Sequence, residues 1–340
     1  MIICGNKEHK QKEILLLMNK DVFCKGYTWG FFSKPGEFLT EEAAQSMKRL
    51  ASNGLDWICI TVNAWQETFY STRIFSLYGK TQTDEEVIHA IKMAKELGLK
   101  VCLKPMVNCL DHSWRARINF PNEDGCGYWD RWFESYTGFM TYYAGMAERT
   151  GCEMLCTGCE MFGMDLQSAR CSRMIDEVRK VYGGLLMHNI NHGDENRFEW
   201  LDKVDIIGIS GYYPVTDKEN KGIDTMRERW KEVVKRLEIC HEKYNRPVMF
   251  AEIGARSEAG CSMYPWDFKD RPELPVDEQE QSDFYQSAME ATWDIPWFAG
   301  YFWWDWKATI PSLEEASKNR DFTVYGKLAE KTLKSFYTSR

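Results

Sequence analysis

Eight short runs of apolar and β-branched residues recur along the chain, alternating with amphipathic helical patterns at a spacing near the ~30 residues of a βαβ unit. They are Val22 to Trp29, Leu55 to Asn63, Lys100 to Asn108, Glu153 to Glu160, Leu185 to Ile190, Val204 to Tyr212, Pro247 to Glu252 and Phe298 to Trp304. Such alternation dictates a parallel sheet, because parallel neighbours need a crossover element between them. Eight strands of this kind predict an α/β fold of one architecture, a single (β/α)8 TIM barrel with long βα loops. Helix signals support the alternation. Thr83-Asp84-Glu85-Glu86 and Asp277-Glu278-Gln279-Glu280 read as capping boxes, and Gly54 and Gly98 fall where helices end. The chain has 340 residues, a length that one large barrel fills. No linker, low-complexity segment or tandem repeat divides it, so residues 1–20 read as an N-terminal extension and 21–340 as one domain.

The connections are unequal. Segments after strand ends, Ala64 to Gln82, Cys109 to Tyr128 and Gly254 to Val276, are long and rich in Trp, Tyr, Arg and Asp, whereas helix-to-strand links such as Gly98-Leu99 and Gly151-Cys152 are very short. In a barrel this asymmetry places the chemistry at the carboxyl ends of the strands. Two acidic residues close strand runs there. Glu160 ends the fourth and Glu252 the seventh, so three βα units place them across the mouth from each other. Two carboxyls flanking one site suit glycoside hydrolysis, in which one is held protonated for the leaving oxygen and the other stays ionised. Taken singly, each Glu reads equally well as a strand cap or the partner of an Arg.

A set of segments spanning nearly the whole chain resembles glycoside hydrolase family 113, retaining β-mannanases of a large clan of (β/α)8 enzymes. The carrying segments are Lys104-Pro105-Met106-Val107 with Trp114-Arg115, Ser135-Tyr136-Thr137, Thr157-Gly158-Cys159-Glu160-Met161, Ile209 to Pro214, Pro247 to Ser257, Phe302 to Trp306 and Tyr325-Gly326-Lys327. The resemblance implies that Glu160 is the general acid/base and Glu252 the nucleophile, with a carboxyl separation of ~5–5.5 Å. It makes 21–340 a glycoside hydrolase catalytic domain acting on β-1,4-manno-oligosaccharides, with no cofactor and no metal. Two positions depart from the pattern: Cys159 stands where the clan commonly has Asn, and Met106 where His is expected. Alternatives are another β-glycan-active or exo-acting glycosidase of the same clan, or a sugar-binding barrel without catalysis.

Composition now enters. Aromatic residues make up 14% of the chain, including 14 Trp and 16 Tyr, and sugars present flat C–H faces that aromatic platforms fit. Trp304, ending strand eight, is the leading platform. Trp29, Trp65 with Gln66, and Trp114 with Arg115 are candidates for walls and outer subsites; Asn63 and Asn108 close strands two and three as polar candidates. Tyr212 is placed to hydrogen-bond the nucleophile, or equally to pack. A formal charge of −8 offers no positive field for nucleic acid or anionic lipid. The apolar stretch Ile14 to Met18 is too short for a signal or a membrane span. Twelve cysteines, several inside strand runs, read as buried thiols in a reducing cytoplasm.

Rival motifs are weaker. Cys152-x3-Cys156-x2-Cys159 matches the cluster spacing of radical S-adenosylmethionine enzymes, but it lies within the fourth strand, where period two puts Cys152 and Cys156 on one face and Cys159 on the other. His188 and His192 share no helical face for zinc. No Gly-rich phosphate loop or G-x-S-x-G elbow is present, and Asp305, just past Trp304, reads as a loop-structuring carboxylate.

Overall fold

Each of the eight predicted runs forms a strand, and the strands hydrogen-bond in chain order until the eighth closes on the first. They are β1 (Cys24–Trp29), β2 (Trp57–Gln66), β3 (Lys100–Cys109), β4 (Met154–Cys159), β5 (Leu185–Asn191), β6 (Ile206–Ser210), β7 (Val248–Ile253) and β8 (Phe298–Trp306). All pairings are parallel. The computed structural model describes residues 22–121, 125–269 and 271–339; the expected extension, 1–20, lies outside the described residues.

The described helices are α1 (Glu41–Ala51), α2 (Asp84–Glu96), α3 (Tyr128–Thr150), α4 (Phe162–Asp165), α5 (Ser168–Val181), α6 (Ile223–Tyr244), α7 (Glu278–Thr292), α8 (Leu313–Lys318) and α9 (Leu328–Ser339). Between β5 and β6 the described residues form only a 3-10 turn, Leu201–Lys203. Thr83 and Glu86 form the full capping box of α2. At α7 only half of the expected box forms: Asp277 accepts the Glu280 N–H, while the Glu280 carboxylate accepts instead from the Gly260 and Ser262 N–H groups and so ties down the β7 loop. Gly54 and Gly98 take φ of 85° and 78°, left-handed conformations that other residues adopt at a cost.

Alternation along the strands separates two apolar layers. Outward side chains pack beneath the helices, and inward ones, among them Cys24, Trp57, Cys59, Cys102, Met154, Cys156, Met249 and Phe302, fill the barrel. Gly26 is needed here, since a Cβ would lie 2.5 Å from the Phe302 ring. Toward the carboxyl ends a third cluster, Met106, Cys159, Tyr212, Trp304 and Phe322, forms the floor of the mouth.

Candidate active site

β2 and β3 pair over ten residues, through Trp65 opposite Asn108 and Gln66 opposite Cys109. The predicted second run therefore continues as strand beyond Asn63 and carries Trp65 to the rim. β4 stops sooner. Its register against β5 shifts between Cys156 and Cys159, and Glu160 follows with φ +55°, its N–H donating to the Asn189 carbonyl at 2.8 Å. A left-handed conformation at a non-glycine residue is sparsely populated, and such residues cluster at functional sites. Glu252 lies in β7, where register shifts occur against both β6 and β8. These irregularities bring the carboxylates together: one oxygen of each, with the Cys159 Sγ, lies within 4.8 Å of the others.

The two carboxylates have different surroundings. Glu252 is almost fully buried; its Oε1 accepts from Lys104 Nζ at 2.5 Å and Cys159 Sγ at 3.2 Å, and its Oε2 from Tyr212 Oη at 3.5 Å. Burial, followed by the Glu252 charge, raises the Cys159 thiol and the Tyr212 hydroxyl well above their usual ranges, so both stay protonated donors. Glu160 Oε2 accepts from Trp114 Nε1 at 3.1 Å, with Arg115 Nη1 at 3.8 Å. Burial and then the neighbouring Glu252 charge raise the Glu160 carboxyl above the usual carboxylate range, against the opposing pull of Arg115, Trp114 and Ser210. One group favoured as acid thus faces another ion-paired as carboxylate, an arrangement suited to proton donation from one side and attack from the other.

Above them opens a cavity of about 700 Å³ lined by both glutamates and largely by aromatic rings. Of the residues singled out from sequence, Trp114, Arg115, Tyr212 and Trp304 line it. Trp304 forms its floor, 4.5 Å from the Phe31 ring. Trp65 stands beside it, near-parallel to Phe32 at 6.2 Å, with Lys80 Nζ 4.7 Å above its ring. Asn63 and Asn108 lie behind the wall: Asn108 donates to Asn63 Oδ1 at 2.9 Å and accepts from Arg115 Nη2 at 2.6 Å, which orients the guanidinium. Two candidates face away. Trp29 is fully buried, 4.6 Å from Phe38 in the layer beneath the helices. Gln66 accepts from Trp132 Nε1 of α3 at 3.0 Å. Alternation explains both, since Gln66 follows inward Trp65, and Trp29 pairs with outward Ile60.

Other lining residues escaped the sequence reading. Phe31 and Phe32 follow β1, His112 follows β3, His192 follows β5, and Trp266 and Phe268 lie in the long loop after β7. Their loops were recognisable, but nothing in the sequence shows which rings converge. Lys104 was missed as a site residue although it carried a signal, a lone cation inside an apolar strand run. His192 sits 5.8 Å from the Trp266 ring, whereas His188 lies on the other side of β5, bonded to Asp165 and Thr157. Asp305 pairs with Lys307 at 2.6 Å.

The expected facing of the cysteines needs correction. The β4 shift puts Cys156 in the barrel interior and Cys159 at the mouth on the same inward side, while Cys152 belongs to the layer beneath the helices. The three thiols still do not converge on a cluster. Cys159, Glu160 and Glu252 have metal-ligand spacing, but Lys104 and Arg115 already supply the positive charge that a cation would bring. Among the described residues no helix is long and apolar enough to cross a membrane.

The model of Glycoside Hydrolase Family 113 matches residues 27–327. Among solved structures, a β-1,4-mannanase of that family superposes with TM-score 0.86 at 36% identity, covering 94% of this chain and 99% of the other. The family's β-mannanase AaManA from Alicyclobacillus acidocaldarius gives 0.85 at 36%, over 93% and 97%. A fungal β-1,4-galactanase, 13% identical with TM-score 0.57 over 92% and 98%, shares the fold alone. No curated protein matches.

Proposed function

From the premise that the chain belongs to glycoside hydrolase family 113 and is a glycoside hydrolase, we propose that it cleaves β-1,4-mannosidic linkages of mannan-derived oligosaccharides with retention of configuration. Glu252 attacks the anomeric carbon through one carboxylate oxygen while Glu160 protonates the departing glycosidic oxygen. Glu160, now ionised, then takes a proton from the water that attacks the glycosyl ester, and Glu252 leaves as carboxylate. The observation that carries this reading is the approach of one oxygen of each carboxylate to within 4.8 Å of the other. An inverting pair stands ~6.5–9.5 Å apart to admit water between its members. The raised Glu160 carboxyl supports its part as acid, and the aromatic cavity suits the apolar faces of a neutral sugar. The 36%-identical β-mannanases support the choice of sugar.

The test is the anomer of the first product from mannopentaose, read by proton NMR before mutarotation, with Glu160→Gln and Glu252→Gln alongside. The β-anomer is expected, with kcat lowered about 10²–10⁴-fold in Glu160→Gln and at least as far in Glu252→Gln. The α-anomer would overturn retention, and undiminished activity in either variant would overturn the assignment of roles. The eleven described cysteines are free thiols, which supports a reducing, cytoplasmic location and a substrate imported as oligosaccharide; fractionation of the source cells tests this.

A further inference from the structure

Lys104 is fully buried inside the barrel. The layer beneath it is largely apolar, with Cys59, Cys102, Cys156 and Met249. Its Nζ donates to Glu252 Oε1 at 2.5 Å and to the Ala251 carbonyl at 3.4 Å. A buried ion is costly unless paired in good geometry, and this one is paired with the proposed nucleophile.

The other groups facing Glu252 do not replace that charge. From β4 come the neutral Cys159 thiol and Glu160, a like charge when ionised; after β6 comes the neutral Tyr212 hydroxyl; beyond β3, Arg115 lies 3.8 Å from Glu160. Among the described ion pairs, Lys104 is the cation bonded to Glu252. It also fixes orientation. Oε1 is held from below by Lys104 and Cys159, which leaves Oε2, bonded among the described residues by the longer Tyr212 contact, to meet the sugar.

We propose that Lys104 is the positioning residue that presents Oε2 of Glu252 to the anomeric carbon and stabilises the carboxylate released when the glycosyl ester is hydrolysed. This rests on the reading of Glu252 as nucleophile. While the ester stands, Glu252 carries no charge and the ammonium loses its counterion. When water attacks the anomeric carbon, the C1–Oε2 bond breaks, its electron pair returns to Glu252, the water proton passes to Glu160, and the ion pair reforms. Lys104 therefore makes Glu252 a better leaving group in the second step.

Lys104→Met, Lys104→Gln and Lys104→Arg test this with 2,4-dinitrophenyl β-mannoside, whose leaving group needs little protonation. In the Met and Gln variants kcat and KM are expected to fall together, about tenfold or more, while kcat/KM changes less, because the glycosyl ester accumulates when its hydrolysis slows. A dinitrophenolate burst is expected as the second step slows, and Lys104→Arg should restore both readouts in part. A loss in kcat/KM with KM not lowered and no burst, in folded variants, would show packing alone and overturn the proposal. If Lys104→Met does not fold, Lys104→Gln, which retains polar character at the site, gives the same decision. Glu252→Gly with azide tests the underlying reading separately. Formation of α-mannosyl azide alongside the absence of a burst in the Lys104 variants sinks the Lys104 proposal alone, whereas undiminished hydrolysis by Glu252→Gly sinks both.

Discussion

Trp114→Phe separates the two contributions of the most exposed aromatic candidate. Trp114 is 54% exposed, and its Nε1 donates to Glu160 Oε2 at 3.1 Å. Phe keeps an aromatic face for the substrate and removes the donor. A hydrogen bond to a charged group contributes about 1.5–3 kcal/mol, but water replaces a donor on a half-exposed side chain, so about half of that contribution, roughly 0.7–1.5 kcal/mol, is the relevant scale. The sign follows from the form that is bonded. The indole N–H favours the ionised carboxylate and pulls against the upward shift caused by burial and Glu252, so its loss favours the protonated acid. In kcat/KM the alkaline limb reports the acid of the free enzyme, and it should move to higher pH by about half to one unit. The assay is kcat/KM for mannotetraose across pH, with Trp114→Ala as the control that removes the face as well and raises KM. An alkaline limb that stays in place or moves to lower pH would refute the assignment of Glu160 as the acid held by Trp114.

Cys159→Ala removes the thiol that donates to Glu252 Oε1 and accepts from Asn189 Nδ2 at 3.3 Å; a lost bond of ~1 kcal/mol predicts about a fivefold fall in kcat/KM with KM little changed, and a change below twofold in steady-state kinetics would remove Cys159 from the site. Trp304→Ala should raise KM for manno-oligosaccharides and lower the melting temperature, because the ring both floors the cavity and is buried. Trp29→Phe should lower the melting temperature with KM unaltered, and a rise in KM would return Trp29 to the sugar-binding wall.

Much of the fold is written locally. Strand runs, the capping box at Thr83 and the glycine stops at Gly54 and Gly98 depend on neighbours within a few residues, so they can be read without knowing what packs against them. The pair Glu160 and Glu252 is recognisable for the same reason, since each closes its strand run at the active end of a barrel. The β5–β6 connection is the exception, crossing with a 3-10 turn in place of a helix.

The site depends on the other kind of information. Alternation states that Trp65 and Gln66 face opposite ways, but barrel closure decides that Trp65 faces inward and Gln66 toward α3. A register shift in β4, set by its pairing with β5, turns Cys159 toward Glu252 against strict period two. Asn108 appears in the sequence as a polar strand end and in the structure as a brace for Arg115. By itself the sequence determined the barrel, its strand order and the carboxylate pair, because periodicity and strand ends are properties of contiguous residues. Only the tertiary structure decided that Lys104 holds Glu252 and that Phe31, His192 and Trp266 close one cavity over it, because those contacts join residues that closure alone brings within reach.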